Sequence, residues 1–111
     1  MKDIKFIFIL MLCFVSYLGI GQNFVEPQKA LLILETKKEQ LTNEYKSGNL
    51  PELKFKIANN YFNVMPFYLK DGYDVPFCIN IAWEKSREFF MYDQEAVNEF
   101  NNEISHWLET K

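Results

Sequence analysis

PFCINIAWEKSREFFMYD, residues Pro76 to Asp93, holds the densest run of strand-forming residues in the chain. Strict alternation places Phe77, Ile79, Ile81 and Trp83 on one face and Cys78, Asn80 and Ala82 on the other. That is the period-two pattern of a half-buried strand. Glu84 to Arg87 reads as a tight turn, and Glu88 to Tyr92 returns as the next strand. Asp93 then stands where its carboxylate can accept from the free N–H groups at the start of a last helix.

The segments before it are read to match. Tyr61 to Leu69 is expected as a strand with apolar residues on both faces. Pro66 has no N–H for a ladder, which puts that strand at an edge or a bulge. Lys70 to Asp74 contains Asp71-Gly72, a strong hairpin-turn signal. Leu50 to Asn60 supports two readings. Leu50, Leu53, Ile57 and Tyr61 share a helical face, and Asn49 with Glu52 resembles a capping box. Against this, Phe55 and Ile57 alternate with Lys54 and Lys56 as in a strand, and Asn59-Asn60 suits a turn. The expectation is a short helix or helical turn through about Ala58.

A first long helix is expected from Pro27, whose missing N–H costs nothing in a first turn. Leu31, Leu34, Leu41 and Tyr45 form its apolar side, and Ser47-Gly48-Asn49 ends it. A last helix from Gln94 to about Leu108 carries the core-facing stripe Val97, Phe100, Ile104, Trp107 and Leu108. The predicted fold class is therefore α+β: two long helices packed on one face of a small antiparallel sheet, in the order α-(α/turn)-β-β-β-α.

Residues 1–21 read as a signal peptide, which leaves residues 22–111 as a single small domain. Lys2 and Lys5 form a basic head, and Phe6 to Leu18 is uncharged and almost wholly apolar. Gly19 and Gly21 then sit two apart, the small-residue pattern before a cleavage site. The alternative is an uncleaved N-terminal membrane anchor, but the charge-free run from Phe6 to Gly21 is shorter than the roughly 20 residues a spanning helix needs. Leu12 directly before Cys13 is too bulky for lipoprotein processing. The expected location is thus periplasmic or secreted, with the membrane met only transiently through the leader.

Composition excludes some functions. The 111 residues carry 12 Lys and Arg against 15 Asp and Glu, a net charge of −3. The charges are well mixed, so no basic patch offers itself to nucleic acid or to anionic lipid. Cys78 is the only cysteine beyond the leader. It cannot close an internal disulfide, so an exported domain of this kind must rest on its hydrophobic core. Pairing Cys78 between two chains is the one disulfide left open. Aromatic residues, 17% of the chain, supply the large side chains for that core.

Little in the sequence points to catalysis. His106 is the single histidine, with Glu103 three residues and Glu99 seven residues before it on one side of the last helix. A Glu-x-x-His step is half of a carboxylate-bridged di-iron site, and the other half is missing. Neither a Gly-x-Ser-x-Gly elbow nor a glycine-rich phosphate loop is present. No catalytic residue, metal or cofactor is assigned. The function expected is a non-enzymatic binding or interaction module of the cell envelope. The alternative is a small metal-dependent or hydrolytic enzyme centred on His106, Glu103 and Glu99. The binding residues expected are Tyr68, Tyr73 and Tyr92, each pairing apolar area with a polar tip on a sheet face that no helix covers. The partner would be another protein, a peptide or a second copy of the chain.

The leader assignment has a direct check. N-terminal sequencing of the protein recovered outside the cytoplasm of a bacterial host is expected to begin at Gln22. A chain that keeps Met1 and stays with the membrane fraction contradicts cleavage.

Overall fold

The computed structural model describes residues 23–110. These form four α-helices: α1 Pro27–Lys46, α2 Glu52–Leu69, α3 Val75–Phe89 and α4 Gln94–Leu108. The leader expected at residues 1–21 lies outside the described residues. Among the described residues no strand exists, and the one β contact is an isolated antiparallel bridge between Phe24 and Glu109. The α+β sheet predicted from the sequence is therefore overturned. Both long helices stand where they were expected, while the segments read as strands are helical.

Helix α3 shows why the strand reading fails. Its buried residues are Val75, Cys78, Ile79, Ala82 and Ser86. They recur at intervals of three and four, the period of one helical face. Of the face expected to be quiet, Cys78 and Ala82 are completely buried and Asn80 is exposed. Of the face expected in the core, Ile79 is buried, Phe77 is exposed, and Ile81 and Trp83 are half-buried. The turn expected at Glu84–Arg87 and the strand expected at Glu88–Tyr92 are instead the last turns of α3 and the connection beyond it.

The start of α3 carries its own signal. Asp74 caps it: the carboxylate oxygen Oδ1 accepts from the Phe77 N–H at 3.1 Å. Pro76 lies in the first turn, where its lack of an N–H is harmless.

Helix α2 runs unbroken through Asn59-Asn60 and Pro66. Its buried residues Ile57, Ala58, Tyr61, Phe62, Met65 and Leu69 make one broad face, and α2 packs against all three other helices. Asn60 is used rather than tolerated: its amide donates to the Ser86 hydroxyl of α3 at 2.8 Å. The expected capping box is absent, because Pro51 holds the cap position and Asn49 turns its amide to Ser47. Pro66 falls near the end of α2, where it leaves the Phe62 carbonyl without an in-helix donor and the helix ends soon after.

Asp71-Gly72 ends α2 instead of turning a hairpin. Gly72 has φ +89°. Its N–H donates to the Leu69 carbonyl at 2.9 Å, and the Tyr73 N–H donates back to the Tyr68 carbonyl at 3.2 Å. This pair of bonds is a Schellman stop. Gly48, with φ +81°, ends α1 the same way: its N–H donates to Tyr45 O, and the Asn49 N–H to Glu44 O.

Helix α4 buries Val97, Phe100, Ile104 and Leu108 as expected. Asp93 occupies its cap position, but its side chain accepts no capping bond. Gln94 works in the other direction, donating its amide to the carbonyls of Arg87 and Phe90 and so closing the end of α3. At the far end, the Val25 N–H donates to Leu108 O and the Thr110 N–H to Asn23 O, both at 2.9 Å. These bonds clamp the chain entering α1 against the chain leaving α4.

Tyr61 stands at the centre of the core, fully buried. Its ring meets Phe100 edge-on at 5.1 Å, and its hydroxyl donates to Asn101 Oδ1 at 2.7 Å. Trp83 Nε1–H donates to Asn98 at 2.8 Å, tying α3 to α4. Trp107 stacks with Phe62 and lies under the Lys37 ammonium, 5.0 Å from the ring centre, which brings α1 to α4. Among the described residues, no buried side-chain nitrogen or oxygen lacks a hydrogen-bond partner.

The small face of α3 gives a test. Ala82→Leu is expected to cost roughly 1–3 kcal/mol in chemical denaturation, because Ala82 is fully buried and the added carbons must displace its neighbours. Asn80→Leu, on the exposed side of the same helix, is expected to change stability by less than about 0.5 kcal/mol. Under the alternating strand pattern, Cys78, Asn80 and Ala82 would share one face and the two substitutions would behave alike.

Candidate functional site

The Schellman stop at Gly72 and the Asp74 cap are separated by a single residue, Tyr73. The chain therefore reverses tightly between α2 and α3, and side chains from both helices meet at this end of the bundle. Tyr68 is the centre of the group. Its ring lies edge-on to Phe67 at 5.1 Å, to Tyr73 at 5.7 Å and to Phe77 at 5.9 Å. Tyr73 and Phe77 stack at 4.9 Å with their planes 23° apart. The Tyr68–Tyr73 contact is the apolar pairing that commonly accompanies a Schellman stop.

This cluster is mutually packed and yet open. Phe67 is 66% exposed, Tyr73 47% and Phe77 41%. Single exposed aromatics are ordinary, but several in mutual contact make a patch. Beside it, between the end of α2 and the middle of α3, runs a shallow cleft lined by Tyr68, Ile81, Glu84, Lys85 and Glu88.

The three tyrosines expected to bind do not form one site. Tyr68 and Tyr73 are brought into contact. Tyr92 sits apart in the connection between α3 and α4, 92% exposed, next to the exposed Phe89 and Met91. The expected setting, a bare sheet face, is absent among the described residues; the tyrosines lie at helix ends. Phe67 and Phe77 belong to the cluster and were not singled out from the sequence. The signal that could have found them is Asp74-Val75-Pro76, a helix start that places Phe77 one turn above the cap.

Glu99, Glu103 and His106 do not converge. Glu103 pairs with Lys54 of α2 at 2.9 Å. His106 is largely exposed and lies 3.8 Å from Glu109, in the direction of the chain end. Among the described residues, no three His, Cys, Asp or Glu side chains are grouped so that they could hold a metal ion.

Cys78 is buried, and its thiol points toward the Tyr73 carbonyl at 3.8 Å. Burial, with a smaller contribution from the Asp74 carboxylate, pushes its pKa up to about 11. A buried thiol held in its protonated form is a poor nucleophile, which counts against the inter-chain pairing left open for Cys78. Burial also holds the Tyr61 hydroxyl in its neutral form, far above the usual phenol range.

An open groove of about 630 Å³ lies between α1 and α2, lined by Leu31, Leu34, Lys38, Phe62 and Phe67 among others. Its walls mix apolar side chains with charges of both signs, and it holds no cluster of polar groups aimed at one point. No helix among the described residues is long and apolar enough to cross a membrane. Comparison with protein-family models, with curated proteins and with solved structures finds no match.

The thiol and the phenol both set a pH dependence. Each folded-state pKa is raised, so the stabilisation is complete below the unfolded values and is lost as pH rises through the folded ones. The urea midpoint is expected to fall as pH climbs from about 9 to 11, and less steeply in Cys78→Ala. Iodoacetamide at neutral pH is expected to label Cys78 only after denaturation. Rapid labelling of the native protein contradicts the buried placement.

Proposed function

We propose that this protein is an exported, non-enzymatic binding module of the cell envelope, acting in the periplasm or outside the cell. Its contact surface is the aromatic end formed by Phe67, Tyr68, Tyr73 and Phe77, and its partner is another protein, a peptide or a second copy of the chain. The observation that carries this reading is the exposure of several mutually packed rings at one helix reversal. Rings of this kind enter an interface at low entropic cost, because their neighbours already hold them in place. The exported setting is supported by the basic head and apolar run of residues 1–21.

The reading is tested by site-specific photo-crosslinking in cells. A photoreactive phenylalanine analogue at position 73 is expected to yield a discrete adduct, identifiable by mass spectrometry. The same analogue at Asn102, exposed on α4, is expected to yield none. A Tyr73→Ser, Phe77→Ser variant is expected to keep its helical circular dichroism and to lose the adduct formed from position 67. Absence of adducts from positions 67, 73 and 77 alike contradicts the proposal, as does a variant that unfolds.

A further inference from the structure

The aromatic end does not stand alone. Tyr68 belongs both to the ring cluster and to the cleft that continues along α3 past Ile81 to Glu84 and Glu88. A surface therefore runs from exposed rings, over an aliphatic side chain, to two carboxylates one helical turn apart. Lys85 also lines the cleft, but the carboxylates outnumber it. Asp71 adds negative charge at the ring end, while Asp74 is occupied in capping α3.

Three features of this surface define what fits it. First, the rings present faces and edges at fixed angles, with Tyr73 and Phe77 nearly parallel and Tyr68 edge-on to both. Ridges between such rings accept the flat, rigid side chains of proline, and phenol hydroxyls can donate to the carbonyls of an extended backbone. A polyproline II segment presents both and loses little entropy on docking. Second, the carboxylates favour a cation at the far end of the bound segment. Third, the dimensions agree. Phe77 to Glu88 is eleven helical steps, about 16 Å. A polyproline II strand covers that distance in about five residues.

We infer that the α2–α3 end takes a proline-rich segment carrying a basic residue about five positions from its ring-binding prolines. The prolines seat on Tyr68, Tyr73 and Phe77, and the cation reaches Glu84 and Glu88. This deepens the proposed binding function and rests on it. It names the chemistry of the partner, and its test is separate from the crosslinking above.

The probe is a synthetic peptide, acetylated and amidated, made of two copies of Pro-Pro-Leu-Pro-Pro-Arg. It is titrated into the ¹⁵N-labelled protein as exported. Shift changes are expected at Tyr68, Tyr73, Phe77, Ile81, Glu84 and Glu88. Tyr73→Ala is expected to weaken binding at least about tenfold. The double change Glu84→Gln, Glu88→Gln is expected to weaken it by a few-fold and to flatten its dependence on salt. Replacing each arginine of the peptide with glutamate is expected to weaken binding to the parent protein similarly.

No shifts at millimolar peptide overturn the inference. So do equal shifts from the arginine and glutamate peptides, or shifts confined to the α1–α2 groove. Shifts at the aromatic end that depend on protein concentration alone point to a second copy of the chain and also overturn it. If the peptide fails while position 73 still crosslinks to a partner, the binding surface stands and its ligand has other chemistry. If both fail, the binding function falls with it.

Discussion

The close approach of α3 to α2 is the constraint on which the rest of the structure depends. Cys78, Ala82 and Ser86 follow one another at four-residue intervals and are fully buried. Small side chains at that spacing let the two helices meet with little between them, and these helices share the most extensive contact of any pair. The Asn60–Ser86 hydrogen bond fixes their register. A polar pair in an otherwise apolar interface contributes little net energy. Sliding α3 by one turn would leave the fully buried Ser86 hydroxyl without its partner, at a cost of about 1–3 kcal/mol. Register is what the pair specifies.

That register has consequences at both ends of α3. At its start, the Gly72 stop and the Asp74 cap leave only Tyr73 between them. Tyr68 and Phe77 are thereby held on either side of it, and the ring cluster follows from the backbone. At its end, Gln94 closes the free carbonyls of α3, and Arg87 lies over Trp83 at 4.6 Å. Trp83 in turn reaches α4 through Asn98. Packing, capping and surface are thus one arrangement: Val75, Cys78, Ile79, Ala82 and Ser86 go inward, which leaves Phe77, Ile81 and Phe89 outward or along the edge.

The outer helices were legible in the sequence because their signals point one way. Pro27, the Leu34–Leu41 spacing and Gly48 all indicate a helix, and so does the Val97–Phe100–Ile104–Leu108 stripe. The middle of the chain was not legible, for specific reasons. Phe77, Ile79, Ile81 and Trp83 alternate, and size alone suggests that they face one way; the helical period is carried by Cys78, Ala82 and Ser86, whose small side chains attract no notice. Asp71-Gly72 is degenerate, since a glycine at positive φ serves a hairpin and a helix stop equally. Asn59-Asn60 is unfavourable in an isolated helix, and only the presence of Ser86 across the interface makes Asn60 useful. Of the candidate site, Tyr68 and Tyr73 were visible as amphipathic side chains. Their contact with Phe67 and Phe77 depends on a helix start that the strand pattern concealed, and Tyr92 was grouped with them only through a sheet that the described residues do not form.

The central claim is that residues 75–89 form one helix whose small side is turned to α2. Backbone NMR of the native protein tests it most directly. The account expects an unbroken run of helical Cα shifts from Val75 to Phe89, with nuclear Overhauser contacts from Asn60 to Ser86 and from Tyr68 to Phe77. Strand-like shifts over 77–83 and 88–92, joined by cross-strand contacts around Glu84–Arg87, would contradict it.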